Sequence, residues 1–190
     1  MRYDEAMSES LRETRIDCEA VYDGALLHVR RDRVRLPDGA QATREYVVHP
    51  GAVLVVPVLD DGRLVVERQF RYPLQRVFLE FPAGKIDPGE APEQTAAREM
   101  IEETGYAVGR LVPLCVLHPV VSYSTEAIQC FVADGLRHVG ARLDHGEFLE
   151  VDAMSVDAML AALDRGEITD AKTVSALLLY TRRNRAPDVE

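Results

Sequence analysis

The residues that most restrict the fold are Ala52-Val53-Leu54-Val55-Val56-Pro57-Val58-Leu59, eight apolar positions in succession. A strand of this composition has no face to give to water, so both of its faces need cover. The run turns at Asp60-Asp61-Gly62 into a second extended segment over 63–70, which predicts a hairpin. Further strands are expected over 77–81 and at about 109–118, 127–134 and 148–152. After a loop over 82–90, Pro92 opens a helix. Its Ala97, Met100, Ile101 and Thr104 recur at helical spacing, and Gly105 ends it. Two more helices, 156–164 and 170–183, close the chain; the second carries Val174, Leu177, Leu178 and Thr181 on one face. Strands on both sides of a central helix, with helices after them, predict an α+β fold in which a mixed sheet lies between helices in an α/β/α sandwich.

Ahead of this block the pattern differs. From Asp17 to about Val48, short extended segments are punctuated by Tyr22-Asp23-Gly24 and Leu36-Pro37-Asp38-Gly39, the marks of hairpin connections. Two or three antiparallel strands are expected there, after a polar lead-in over 1–15. So few strands are marginal in water without a covering layer, so the sheet must dock on something. The chain is therefore divided into an N-terminal antiparallel sheet region, 1–45, which would form a dimer, and a catalytic domain, 46–190.

Charge excludes some functions. Thirty-two Asp and Glu against 22 Lys and Arg give a formal charge of −10, which does not suit a protein that neutralises many backbone phosphates. The longest apolar runs, 51–59 and 174–181, fall short of the roughly 20 residues that cross a bilayer, and no apolar stretch follows the charged start. No membrane or nucleic-acid partner is expected. The three cysteines, Cys18, Cys115 and Cys130, show no CxxC spacing and read as reduced core thiols of a soluble cytoplasmic protein.

The helix ends in Arg98-Glu99-Met100-Ile101-Glu102-Glu103, which is where the chemistry concentrates. Glu99 and Glu103 lie one turn apart and Glu102 stands at i+3 from Glu99, so three carboxylates share a patch. They occupy the negative end of the helix dipole, where each is disfavoured by about 0.3–1 kcal/mol. An oxygen-liganded divalent cation would reverse that penalty, whereas a merely solvated acidic face would bear it. The preceding Pro82-Ala83-Gly84-Lys85-Ile86-Asp87-Pro88-Gly89-Glu90 is shaped by two glycines and two prolines and can approach a ligand closely.

Gly84, five residues, Glu90, seven residues, then Arg98-Glu99-Met100-Ile101-Glu102-Glu103-Thr104-Gly105-Tyr106 resembles the signature of the Nudix hydrolases, with Tyr106 where an aliphatic residue is usual. The flanks Arg68-Gln69-Phe70-Arg71-Tyr72, Leu79-Glu80-Phe81-Pro82-Ala83-Gly84-Lys85-Ile86-Asp87, Tyr123-Ser124-Thr125-Glu126 and Asp170-Ala171-Lys172-Thr173 are similar to the ADP-ribose pyrophosphatase branch. The nearest proline after the box, Pro119, lies thirteen residues beyond Tyr106, against about fifteen in that branch. The resemblance implies Mg²⁺-dependent hydrolysis of ADP-ribose to AMP and ribose 5-phosphate, with Mn²⁺ as a possible substitute, in a homodimer that exchanges its N-terminal sheet. GDP-mannose or another nucleotide sugar is the alternative substrate, and a non-catalytic nucleotide-binding regulator is the alternative class.

Carried over by the resemblance, Glu99, Glu103, Glu102 and the backbone carbonyl of Ala83 are the expected metal ligands. Arg98 is expected to orient the carboxylates rather than touch substrate, and Glu90 to brace the loop or contact the metal indirectly. The branch places its general base on an acidic loop after the helix; this chain has Asp144-His145-Gly146-Glu147 there, which leaves Glu147 as the candidate for base or additional metal ligand and His145 as the neighbouring possibility for the base. Arg44, Arg71, Glu80 and Glu126 are candidates for substrate contact, the arginines for phosphate or ribose and the glutamates for hydroxyls or a base. With no Trp in the chain, stacking on a base falls to Tyr46, Phe70 or Tyr72.

Overall fold

A computed structural model describes residues 10–143, 146 and 148–185. Its contacts divide the described chain into two compact units. One runs up to His49 and includes Val120–Glu126; the other comprises Pro50–Pro119 and the residues from Ala127 onward.

The first unit is a three-stranded antiparallel meander of β1 (Thr14–Asp23), β2 (His28–Arg35) and β3 (Gln41–Val48), with β2 in the centre. Gly39, at φ 90°, closes the second hairpin: its N–H donates to the Leu36 carbonyl, and the Leu36 N–H to that of Ala40. All ten residues of β1 are exposed, and only Asp32 and Val34 of β2 are buried. Cys18 lies on β1 and is exposed, contrary to the expectation of a core thiol.

In the second unit the apolar run forms β4 (Ala52–Pro57), buried along its whole length. β5 (Leu64–Arg71) and β6 (Arg76–Glu80) follow as a hairpin, then β7 (Ala83–Lys85) and the helix α1 (Pro92–Thr104). The order continues with β8 (Tyr106–Ala107), β9 (Arg110–Leu117), β10 (Ile128–Asp134), β11 (Arg137–His138), β12 (Leu149–Met154), α2 (Val156–Asp164) and α3 (Ala171–Arg185). The strands form a four-stranded sheet ordered β7-β4-β10-β9, a three-stranded sheet ordered β12-β5-β6 and the pair β11-β8. In the four-stranded sheet β4 and β10 pair in parallel and the other described pairs are antiparallel, which makes the sheet mixed.

Alternation along β4 explains the layers. Val53 and Val55 face Ala96 and Met100 of α1, together with Phe131 and Ala133. Leu54 and Val56 face the other way, toward Met159 and Ala162 of α2 and Ala176, Leu177 and Tyr180 of α3. Helices thus cover both faces of the strand that could leave neither to water. Each fully buried valine or leucine contributes about 1.5–3 kcal/mol relative to exposure. Cys130 sits in this core, where burial, aided by the neighbouring Cys115, pushes its thiol pKa upward.

Four expectations need correction. The segments 52–59 and 63–70 do not form a hairpin ladder: the chain turns between them with an isolated Val58–Leu64 bridge, and β4 and β5 then enter different sheets. The buried side of α1 is Thr95, Ala96, Met100, Glu103 and Thr104, so the core stripe is turned from the one read through Ala97 and Ile101, both only half-buried. Ala96 and Met100 pack on Val53, Val55 and Phe131, and Glu103 goes in on the same side because its Oε2 accepts the Ala83 N–H. On α3 the buried residues are Thr173, Ala176, Leu177, Tyr180 and Thr181, while Leu178 is exposed. The expected loop over 82–90 also contains a strand, because Ala83, Gly84 and Lys85 pair with Leu54, Val53 and Ala52. Among the described residues no helix is long and apolar enough to cross a membrane.

Candidate active site

The site begins where β6 passes into β7 and α1 packs above it. α1 starts without a side-chain oxygen at Ala91; instead Gln94 Oε1 reaches back to accept the Ala91 N–H at 3.1 Å. Its last turn ends on Gly105 at φ 75°, whose N–H donates to the Ile101 carbonyl at 3.0 Å. A Cβ there would stand 2.6 Å from the Ala141 amide nitrogen, so both the conformation and the space require glycine. Tyr106, next along, packs edge-on against His138 with ring centres 5.1 Å apart.

Between these ends Arg98 bonds three of the carboxylates. Arg98 Nη1 donates to Glu99 Oε1 at 2.9 Å and to Glu102 Oε2 at 2.8 Å. The same guanidinium grips Glu90 through Nε at 3.1 Å and Nη2 at 3.0 Å, and Nη2 also reaches the Lys85 carbonyl at 3.3 Å. Thr95 Oγ1 adds a hydrogen bond to Glu90 Oε2 at 2.8 Å. The hydrogen bonds from Arg98 and Thr95 hold the Glu90 carboxyl down at a pKa of about 2, and the Arg98 pKa is raised by the same contacts.

Glu103 and Glu99 meet the loop differently. Glu103 is buried, and its Oε2 accepts the Ala83 N–H at 3.0 Å. Glu99 lies against Gly84 so closely that a Cβ at that position would fall 1.9 Å from its carboxylate carbon. The glycine is there for closeness of approach. Gly84 and Ala83 are thus brought together with Glu99 and Glu103, while Arg98 ties Glu90, Glu99 and Glu102 to one another.

The donors are all oxygens: three carboxylates and the Ala83 carbonyl, the set that hard divalent cations take. Among the described residues no three His, Cys, Asp or Glu side chains converge as a finished cage. The residues therefore fit a magnesium-like ion in kind.

The substrate candidates are dispersed. Arg71 and Glu80 bond to each other through two contacts of 2.8 Å, with Glu80 buried and Arg71 reaching the surface. Lys172 also bonds Glu80, and it donates to Asp170 Oδ2 at 2.8 Å. Burial raises the Glu80 pKa, but Arg71 and Lys172 outweigh it and leave it lowered. Lys172 and Asp170 had only the local run 170–173 to point to them, and the contact across the fold had no local signal. Phe70 parts from Arg71 because neighbours on a strand face opposite ways; with Arg68, Val77 and Phe148 it lines a cleft of about 400 Å³.

Arg44 and Glu126 belong to the first unit. Arg44 pairs with Glu13 through contacts of 2.9 and 2.5 Å, and Glu126 stands 3.9 Å from His49. Tyr46 donates to Asp32 at 3.2 Å. Glu147, His145 and Asp144 lie outside the described residues.

A Nudix domain model matches residues 48–177, and a model for the N-terminal domain of nucleoside diphosphate sugar hydrolases matches 13–47. The chain belongs to the Nudix family. Among its Nudix relatives, the ADP-ribose pyrophosphatase of Bacillus subtilis (strain 168) is 37% identical over 171 residues, 89% of this chain and 92% of that protein. The methanol dehydrogenase activator of Bacillus methanolicus is 35% identical over 173 residues, 90% and 94% of the two chains. A solved structure described as an ADP compounds hydrolase superposes with a TM-score of 0.81 at 28% identity, covering 90% of this chain and 94% of that one.

The Glu90 clasp has a consequence in acid. Because its folded pKa lies below the ordinary carboxylate value of 4.5, the clasp stabilises the fold above about pH 4.5 and loses that contribution as pH falls toward 2. Site-resolved NMR titration should find the Glu90 carboxyl titrating near 2, and a midpoint above 4 would show that Arg98 does not hold it.

Proposed function

We propose that this Nudix protein hydrolyses the diphosphate of ADP-ribose, giving AMP and ribose 5-phosphate, with Mg²⁺ as its cofactor and Mn²⁺ as a substitute. The observation that carries the reading is the seating of Glu99 on Gly84 beside the Glu103–Ala83 contact. The similarity to the Bacillus subtilis ADP-ribose pyrophosphatase over most of both chains supports the substrate.

In this reading Glu99, Glu103, Glu102 and the Ala83 carbonyl hold the cation. When bound, a hard divalent ion supplies charge neutralisation of the diphosphate and lowers the pKa of an attacking water. Arg98 keeps the carboxylates in register at the helix end, where the dipole and their mutual repulsion would otherwise disperse them. Glu147 takes the proton of the attacking water, as the sequence suggests. The water oxygen joins one phosphorus, the bridging P–O bond breaks, and the departing phosphate carries the bridging oxygen. Arg71 offers its outer N–H edge to the anionic substrate, and Glu80 holds that guanidinium. Arg44 and Glu126 are further candidates for substrate contact.

The three free cysteines are compatible with a reducing, cytoplasmic setting. The N-terminal sheet, with β1 exposed throughout and Ile16, Val21, Tyr22, Leu26 and Leu27 turned to solvent, suits a homodimer formed through this region.

Two experiments test these readings. With Mg²⁺ present, assays coupled to an added alkaline phosphatase, which frees phosphate from the monoester products, should show ADP-ribose cleaved faster than GDP-mannose, and Glu99→Gln and Glu103→Gln should each lower kcat on the order of 10²-fold with the fold kept; wild-type turnover in either variant contradicts the ligand assignment. Light scattering at micromolar concentration should give twice the chain mass, and a monomer would remove the dimer.

A further inference from the structure

The closing helix reaches back to the strand that feeds the active-site loop. Asp170, just before α3 (Ala171–Arg185), accepts the Thr173 N–H on Oδ2 at 3.0 Å, a capping contact at the helix start. Thr173 Oγ1 in turn accepts the Phe81 N–H at 3.2 Å. Lys172, in the same turn, bonds both Asp170 and Glu80. Two successive residues, Glu80 at the end of β6 and Phe81 just after it, are therefore held by two successive residues of one helical turn.

The exposures give this network a direction. Glu80 has 3% of its side chain exposed, Lys172 13%, Asp170 22% and Arg71 40%. The buried carboxylate accepts Nε and Nη2 of Arg71, one on each oxygen, and that pairing fixes the guanidinium plane. The Nη1 amino group lies on the far edge of the fork, away from the two bonded nitrogens. Lys172 approaches Glu80 from the helix side and shares its charge with Asp170.

We propose that Lys172 is a positioning residue: by holding Glu80 from behind, it keeps Arg71 turned outward to meet the negatively charged diphosphate of the substrate. The inference rests on the diphosphate-hydrolase reading above and adds to it a residue that need not touch substrate. Without the Lys172 charge, Arg71 alone would face Glu80 and Asp170. The guanidinium would be drawn inward and its outer edge lost to the ligand. An orienting role of this kind acts on substrate binding, where Arg71 works, and spares the chemical step.

The test compares Lys172→Met, Lys172→Arg, Arg71→Ala and the Arg71→Ala/Lys172→Met double variant. ADP-ribose affinity is measured calorimetrically in chelator, where no turnover occurs, and KM and kcat are measured with Mg²⁺. Lys172→Met should weaken ADP-ribose binding and raise KM by about tenfold, with kcat within about twofold of wild type. Lys172→Arg should recover most of the loss, and Lys172→Met should add nothing in the Arg71→Ala background. An unchanged affinity in Lys172→Met, or an equal loss with and without Arg71, overturns the proposal. If Lys172→Met does not fold, Lys172→Gln, which removes the charge but keeps a polar side chain, carries the same comparison, with the same expected and contrary results. A wild-type protein that ignores ADP-ribose but cleaves GDP-mannose would correct the substrate, and the same variants would then be read on GDP-mannose.

Discussion

The guanidinium of Arg98 is the contact on which the active-site geometry depends. An α-helix that ends in Glu99, Glu102 and Glu103 gathers negative charge where its own dipole is negative, and unsupported carboxylates there would turn into solvent. Arg98 answers this from within the helix, bonding Glu99 and Glu102, and from the loop side by clasping Glu90 through two nitrogens. The same side chain touches the Lys85 carbonyl, so the loop is fastened to the helix by one planar fork. The raised Arg98 pKa and the lowered Glu90 pKa are two expressions of that arrangement.

A second charged cluster lies one short connection away. Glu80 ends β6 and is held by Arg71 and Lys172, while Ala83 begins β7 and is held by Glu103. Phe81, fully buried and bonded to Thr173, and Pro82, whose carbonyl accepts the Val55 N–H at 2.9 Å, stand between them. The chain can carry two opposed sets of charge within four residues because its backbone is anchored at each step, by α3, by β4 and by α1. On the proposed reading this division of labour would let an acidic protein face a diphosphate, one cluster concentrating carboxylates for a cation and the other presenting an arginine.

The parts of this architecture that were legible in the sequence are those with a local cause. The unbroken apolar run over 52–57 forecast a strand covered on both sides, and the helix over 92–104 was bounded by its proline and its terminal glycine. The turn of the helix against the sheet was not legible, because Ala96 and Ala97 are alike in sequence and only the packing against Val53, Val55 and Phe131 selects between them. The burial of Glu103 was missed for a related reason: a carboxylate reads as surface until a backbone amide, here Ala83, is known to meet it. Periodicity likewise carried no sign of Lys172 beside Glu80, ninety-two positions apart, or of β7 inside a glycine- and proline-rich stretch. Contacts of that range are set by how the layers pack.

The role given to Arg98 can be separated from simple electrostatics by one measurement, calorimetric titration of Mg²⁺ into the wild-type protein and into Arg98→Met, each verified as folded. Charge alone argues that removing a cation from among carboxylates should tighten the binding of another cation. If Arg98 orders those carboxylates, the variant should instead bind Mg²⁺ more weakly, by about tenfold or more. Equal or tighter binding in Arg98→Met would contradict the account.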